Sequence, residues 1–146
     1  FEDFCRDHQL PHEVFLRNLG QHYEEDQRTL QEILSILEEK YQGKKKGIFV
    51  TNDTHANTLL NLLIRRYGKL PPDYYIIGFD NSPVSQEAVF PISTIGQQID
   101  KISHEAVRLL VEQMNEQKKR KPAPLTEPVH KVIAPVLLRR YTTERE

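Results

Sequence analysis

Residues 47–80 constrain this chain more than any other stretch. They open on GIFVTND, pass through THANTLLNLLIRRYGKLPPD and close on YYIIGFD. Two short apolar runs, 48–50 and 74–79, have the length and the β-branched and aromatic content of buried strands, and breakers bound each of them. Between them Ala56, Leu59, Leu60, Leu63 and Tyr67 recur at helical spacing, which predicts a helix with one apolar face. Gly68 follows the last of these and supplies a C′ residue. Strand, helix, strand is a βαβ unit, so the two strands are expected to be parallel, neighbouring and inner, joined by a right-handed crossover. Each strand ends in polar residues, Asn52-Asp53 after the first and Asp80-Asn81 after the second. In open α/β sheets ligands bind beyond the carboxyl ends of the strands, so these groups mark the candidate site.

The flanking segments extend the same pattern. Phe1, Phe4, Cys5 and His8 fall at helical spacing, and residues 14–16 with Leu19 form a short strand candidate. Leu30, Ile33, Leu34, Leu37 and Tyr41 predict a helix over 28–41, closed by Gly43. Residues 44–46 are a lysine run, expected to be a solvated loop. After the turn cluster Asn81-Ser82-Pro83, residues 92–95 predict a short strand and 99–113 a helix. Residues 115–124 suggest an exposed loop, and 130–138 a last strand. Pro135 lacks a ladder donor, so that strand belongs at an edge or carries a bulge. Residues 139–146 look like a polar tail. The expected class is α/β, an open, mostly parallel sheet with helices on both faces.

Composition narrows the function classes. A chain of 146 residues fits one domain and can bury a core. Lys and Arg number 20 against 21 Asp and Glu, a net charge of −1, so net charge implies no polyanionic partner. Its single cysteine excludes an internal disulfide and fits a reducing compartment. No apolar run approaches the ~20 residues that span a bilayer. The six histidines show no metal spacing, since Pro11 separates His8 from His12, and no metal or cofactor is expected. There is no GxSxG, GxGxxG or P-loop, and Cys5 sits on an apolar face as a small core residue. No nucleophile–base pair argues for an enzyme.

Asn52, Asp53 and Thr54 all have the chemistry of helix caps, and Asp80 that of a turn opener. Taken alone, each of them is open to a structural role or to ligand contact.

The order FVTNDTHA, LPPDYYIIGFDNSP and Pro-Ile-Ser-Thr-Ile-Gly-Gln-Gln over 91–98 resembles the C-terminal half of lactose-repressor-type effector domains. That family shares the fold of type I periplasmic sugar-binding proteins. The resemblance covers essentially the whole chain. It implies that Asn52 is the family's strand-end Asn, that Asp80 accepts from sugar hydroxyls, that Gln97 faces the cleft, and that Tyr23 stacks on the sugar's apolar face. Asp53 is assigned to the helix cap. The chain departs from the family pattern at Asn81, where a second acid is usual, at Thr51 and at Gly96.

By the same resemblance residues 1–146 are the C-terminal part of the effector domain, with the N-terminal subdomain and a DNA-binding domain outside them. The implied protein is a cytoplasmic, sugar-responsive bacterial transcription repressor with no membrane partner, touching DNA only through the absent domain. It would be a homodimer, formed in part by the leucine face at 59–63 and residues 83–90. The alternative is a periplasmic-type sugar receptor for transport.

Overall fold

The computed structural model of the chain describes residues 1–20, 22–119, 121 and 128–144. In order the elements are α1 (Glu2–Asp7), α2 (Tyr23–Lys40), β1 (Lys46–Phe49), α3 (Asp53–Tyr67), β2 (Tyr74–Phe79), α4 (Pro83–Glu87), β3 (Ser93–Gly96), α5 (Ile99–Gln117) and β4 (Val136–Leu138). Two compact units divide them. The first comprises Phe1–Lys46 and Thr58–Asp73, the second Gly47–Asn57 and Tyr74–Glu146.

The first unit is built on leucine. Cys5, Leu30, Leu34, Leu37, Leu59, Leu60, Leu62, Leu63 and Leu70 are its buried apolar side chains. The spacing of the α2 set and the α3 set puts each on one helical stripe, and burying such stripes is what stabilises short helices in water. Gly68 ends α3 at φ 74°, donating its N–H to the Ile64 carbonyl at 2.8 Å, as the left-handed C′ position requires. The lysine run is not wholly solvated. Lys46 is buried, and its Nζ donates to Asp73 Oδ2 at 2.6 Å and to the Lys44 carbonyl at 2.9 Å. A buried ammonium must be paired in this way.

The sheet has four strands in the order β1-β2-β3-β4. Lys46 N–H donates to the Asp73 carbonyl and Val50 N–H to the Ile77 carbonyl. These bonds advance equally along both chains, as parallel neighbours do. β2 and β3 are parallel, with Ile77 opposite Ser93 and Phe79 opposite Ile95. β4 runs antiparallel to β3, Thr94 facing Leu138. It lies at an edge with Pro135 just before it, where a missing donor costs nothing. The open, mostly parallel α/β sheet is therefore as expected.

Three expectations are corrected. β1 is parallel to β2 but is an edge strand, with Phe49 46% exposed, not an inner one. Residues 14–16 form no strand; Val14 is 41% and Leu16 82% exposed, too little apolar burial to offset the ordering of a strand. The turn cluster at 81–83 opens α4, with Pro83 at its first turn, where proline's missing N–H is harmless. α2 starts earlier than expected and α5 runs on to Gln117. Of the loop expected over 115–124, residues 120 and 122–124 lie outside the described residues, as do 145–146 of the tail.

The leucine face of α3 is also not free. Leu59, Leu60, Leu62 and Leu63 are all at most 5% exposed within the chain, so this face does not provide the exposed surface expected of a dimer contact. The exposed apolar helix face is on α5 instead, where Ile99, Ile102, Val107, Leu110, Val111 and Met114 are 40–60% exposed. No helix among the described residues is long and apolar enough to cross a membrane.

Candidate functional site

The carboxyl ends of β1, β2 and β3 lie at one edge of the sheet, because the three strands are parallel. Asn52, Asp80 and Gln97 follow these ends in turn. The Asp80 N–H donates to the Ile95 carbonyl at 2.9 Å, continuing the ladder one step past β2. Its side chain is exposed, and Oδ1 accepts from Gln97 Nε2 at 2.7 Å. The structure thus brings Asp80 and Gln97 into direct contact.

Asn52 has a different local role. Its Oδ1 accepts the His55 N–H at 2.8 Å, the side-chain cap of α3. Its Nδ2 lies 2.9 Å from His55 Nδ1, within hydrogen-bond distance. A second lone pair on Oδ1 and a second Nδ2 hydrogen are what Asn52 can still offer a ligand. Tyr23 lies in the first unit as the first residue of α2, 61% exposed, its hydroxyl accepting from Gln27 Nε2 at 2.8 Å.

Asp53 is not the cap. It is 1% exposed and its carboxylate accepts three donors: Ser82 N–H at 2.7 Å, Ser82 Oγ at 3.1 Å and Thr94 Oγ1 at 2.6 Å. Burying a carboxylate is tolerable only with such a set of donors. Gly78 makes the approach possible, since a Cβ there would stand 2.2 Å from Asp53 Oδ1. One buried anion therefore ties the start of α3 to β3 and to the turn after β2.

That turn is conformationally costly. Asp80 has φ 103° and Asn81 φ 54°, two successive non-glycine residues on the left-handed side. Each such residue costs on the order of 1 kcal/mol and persists only where surrounding contacts enforce it. Those contacts are the two bonds from Ser82 to Asp53, Asn81 N–H to Thr94 Oγ1 at 3.2 Å, and Arg140 Nη2 to Asn81 Oδ1 at 2.7 Å. Arg140 Nη1 also donates to the Ile92 carbonyl at 2.8 Å and to Ser85 Oγ at 3.1 Å. Thr142 is wholly buried beside it, donating to the Ile76 carbonyl and accepting the Ser93 N–H. Sequence reasoning missed Asp53, Thr94, Arg140 and Thr142. The available signals were the glycine before Phe79-Asp80 and the Arg-Tyr-Thr-Thr run directly after the last strand.

Among the described residues no group of three or more His, Cys, Asp or Glu side chains is arranged to hold a metal.

Residues 1–134 match the family model described as the periplasmic binding protein-like domain. A stretch of 65 residues is 37% identical to the ribose operon repressor of Bacillus subtilis strain 168, covering 44% of this chain and 20% of that protein. A LacI family transcriptional regulator from Enterococcus faecium with bound ribose superposes with a TM-score of 0.68 at 23% identity, over 98% of this chain and 48% of that one. The lac repressor dimer bound to operator and the anti-inducer ONPF gives 0.70 at 17% identity, over 97% and 45%. At these identities the two structures show a shared fold. The chain spans about half the length of the solved proteins it matches.

Proposed function

We propose a function from one premise: the chain belongs to the periplasmic binding protein-like domain family. On our reading it is the effector-binding part of a bacterial transcription repressor, and its ligand is a small neutral sugar. The observation that carries this reading is the Asp80 carboxylate. It stands exposed beyond the end of a parallel strand, the place where open α/β sheets take ligands, with Oδ1 fixed by Gln97 and no partner for Oδ2 among the described residues. A free carboxylate oxygen accepts sugar hydroxyls, and the Gln97 amide oxygen and the Asn52 Oδ1 add further acceptors. The ribose operon repressor among the relatives, and the ribose in one solved structure, support both the ligand class and the regulatory role.

In this reading the sugar shifts an equilibrium between conformations, and that shift changes DNA affinity through a domain outside residues 1–146. The chain performs no reaction, works in the cytoplasm and has a second copy as partner. Val89, 70% exposed, and the stacked pair Phe90–Tyr141, ring centroids 4.5 Å apart, are the surface we assign to that copy, in place of the leucine face. Sedimentation at micromolar concentration tests this, and a monomer throughout counts against it.

The ligand reading is tested by calorimetric titration of D-ribose and a panel of other neutral sugars into the intact protein that contains this chain. Asp80→Ala is expected to lose about 2–4 kcal/mol, roughly 30- to 1000-fold in affinity, while the fold and DNA binding without ligand persist. Unchanged affinity in Asp80→Ala would remove Asp80 as the anchor.

A further inference from the structure

We propose that Arg140 is a positioning residue for the Asp80 carboxylate, acting through Asn81. This rests on the reading of Asp80 as the sugar's anchor. Asp80 and Asn81 hold positive φ in succession, and neither is glycine. The turn therefore opposes its own backbone preference and keeps its shape through its contacts. Two side chains reach Asn81 among the described residues: Arg140 Nη2 donates to its Oδ1 at 2.7 Å, and Thr94 Oγ1 accepts its backbone N–H at 3.2 Å. The same guanidinium is anchored on the β3 side by the Ile92 carbonyl at 2.8 Å and on α4 by Ser85 Oγ at 3.1 Å.

The arginine backbone is fixed as well. Its N–H donates to Ser93 Oγ at 2.8 Å. A rigid fork with both arms occupied is suited to holding a third group at a set distance. No carboxylate among the described residues pairs with Arg140, so its charge is directed at neutral acceptors around the turn. Asn81 fits this scheme: its short amide tolerates the left-handed region better than most side chains and presents an oxygen to the guanidinium. Thr94 holds the N–H of the peptide between Asp80 and Asn81, and Arg140 holds the Asn81 side chain, so the two together fix φ at Asn81. The carboxylate then stays beside Gln97 before any ligand arrives.

The test uses the intact protein that contains this chain, as wild type, Arg140→Ala, and Arg140→Ala combined with Asn81→Gly. The first readout needs no ligand: the one-bond Cα–Hα coupling at Asp80 and Asn81, which reports the sign of φ. Arg140→Ala is expected to move Asn81 to the coupling of an ordinary negative-φ residue; an unchanged coupling at both positions overturns the proposal. The second readout is affinity for D-ribose beside thermal stability. Arg140→Ala should weaken binding about tenfold or more, and adding Asn81→Gly should restore affinity to within about threefold, because glycine takes the left-handed turn unaided. The melting temperature should stay low in both variants, since Ser85 and Ile92 have still lost their partner. If affinity and melting temperature instead fall and recover together, Arg140 is only a structural staple and the proposal fails. Should Arg140→Ala not fold, Arg140→Lys, which keeps stem and charge but cannot fork, is measured and judged the same way. A wild type that binds no sugar counts against the sugar reading, and the coupling then decides the role of Arg140 alone.

Discussion

The two units of this chain hold themselves together by different means. The first buries eight leucines and one cysteine against three polar side chains, Asp26, Lys46 and Thr58. The second buries few apolar side chains, among them Ala56, Tyr74 and Ile76, and beside them Asp53, Ser85, Ser93, Thr94 and Thr142. Apolar packing is non-directional and scales with area, so a leucine core gives stability without fixing any atom precisely. Hydrogen bonds contribute less net free energy each, but their geometry is strict and leaving one unmade is expensive. The unit that carries the candidate site is the one built on directional contacts. Its helix α5 sharpens the contrast, with an amphipathic pattern like that of α3 but none of its residues buried in this chain.

Substitutions that separate the two regimes should grade from large to small. Leu63→Ala, at a wholly buried position of the first unit, should destabilise by about 2–5 kcal/mol, read as a lower midpoint in urea with the slope unchanged. Asp53→Ala comes next, at about 2–3 kcal/mol, because Thr94 Oγ1 and the Ser82 N–H lose a charged acceptor in a buried place. That exceeds the ~1 kcal/mol of a lost helix cap, which is what Asn52→Ala should cost instead. If Asp53→Ala costs no more than Asn52→Ala, the buried carboxylate is not the tie that its contacts suggest.

Leu110→Ala on α5 should change stability by less than about 0.5 kcal/mol, since the side chain is 56% exposed. A cost comparable to that of Leu63→Ala would erase the difference between the two helices.

The smallest effect concerns pH. Glu105 on α5 accepts from Lys131 and from Arg108, and these hydrogen bonds hold its carboxyl down to about 2 from the usual 4.5. A carboxyl depressed on folding contributes stability above its unfolded value and loses it as pH falls toward its folded one. A carbon-13 titration of this carboxyl should therefore show a midpoint near 2, and a midpoint at the ordinary value would mean the two cations do not hold it in solution.

Sequence alone determined the elements whose evidence is local. The leucine periods gave α2 and α3, Gly68 gave the end of α3, and the apolar runs around them gave β1 and β2 as parallel neighbours. Pro135 pointed to an edge or a bulge for a last strand expected over 130–138; β4 lies at the edge and spans only Val136–Leu138. Asp80 was legible as a site candidate because it directly follows an apolar strand, Gln97 was named only through the family resemblance, and the structure puts the two side chains in hydrogen-bond contact.

Tertiary structure decided everything that depends on a partner distant in the chain. The periodicities of α3 and α5 state that each could bury a face; only the folded chain shows that one is covered and the other exposed. β1 lies at an edge, a position that its apolar run alone did not reveal. Asp53 resembled a cap because its nearest neighbours are helical, yet its partners lie 29 and 41 residues away. Arg140 belonged to an apparently idle tail, and its bond to Asn81 spans 59 residues. A local pattern reports what a segment is able to bury or to bond. Which donor meets which acceptor is set by the crossing of strands and turns, and no spacing along the chain encodes that.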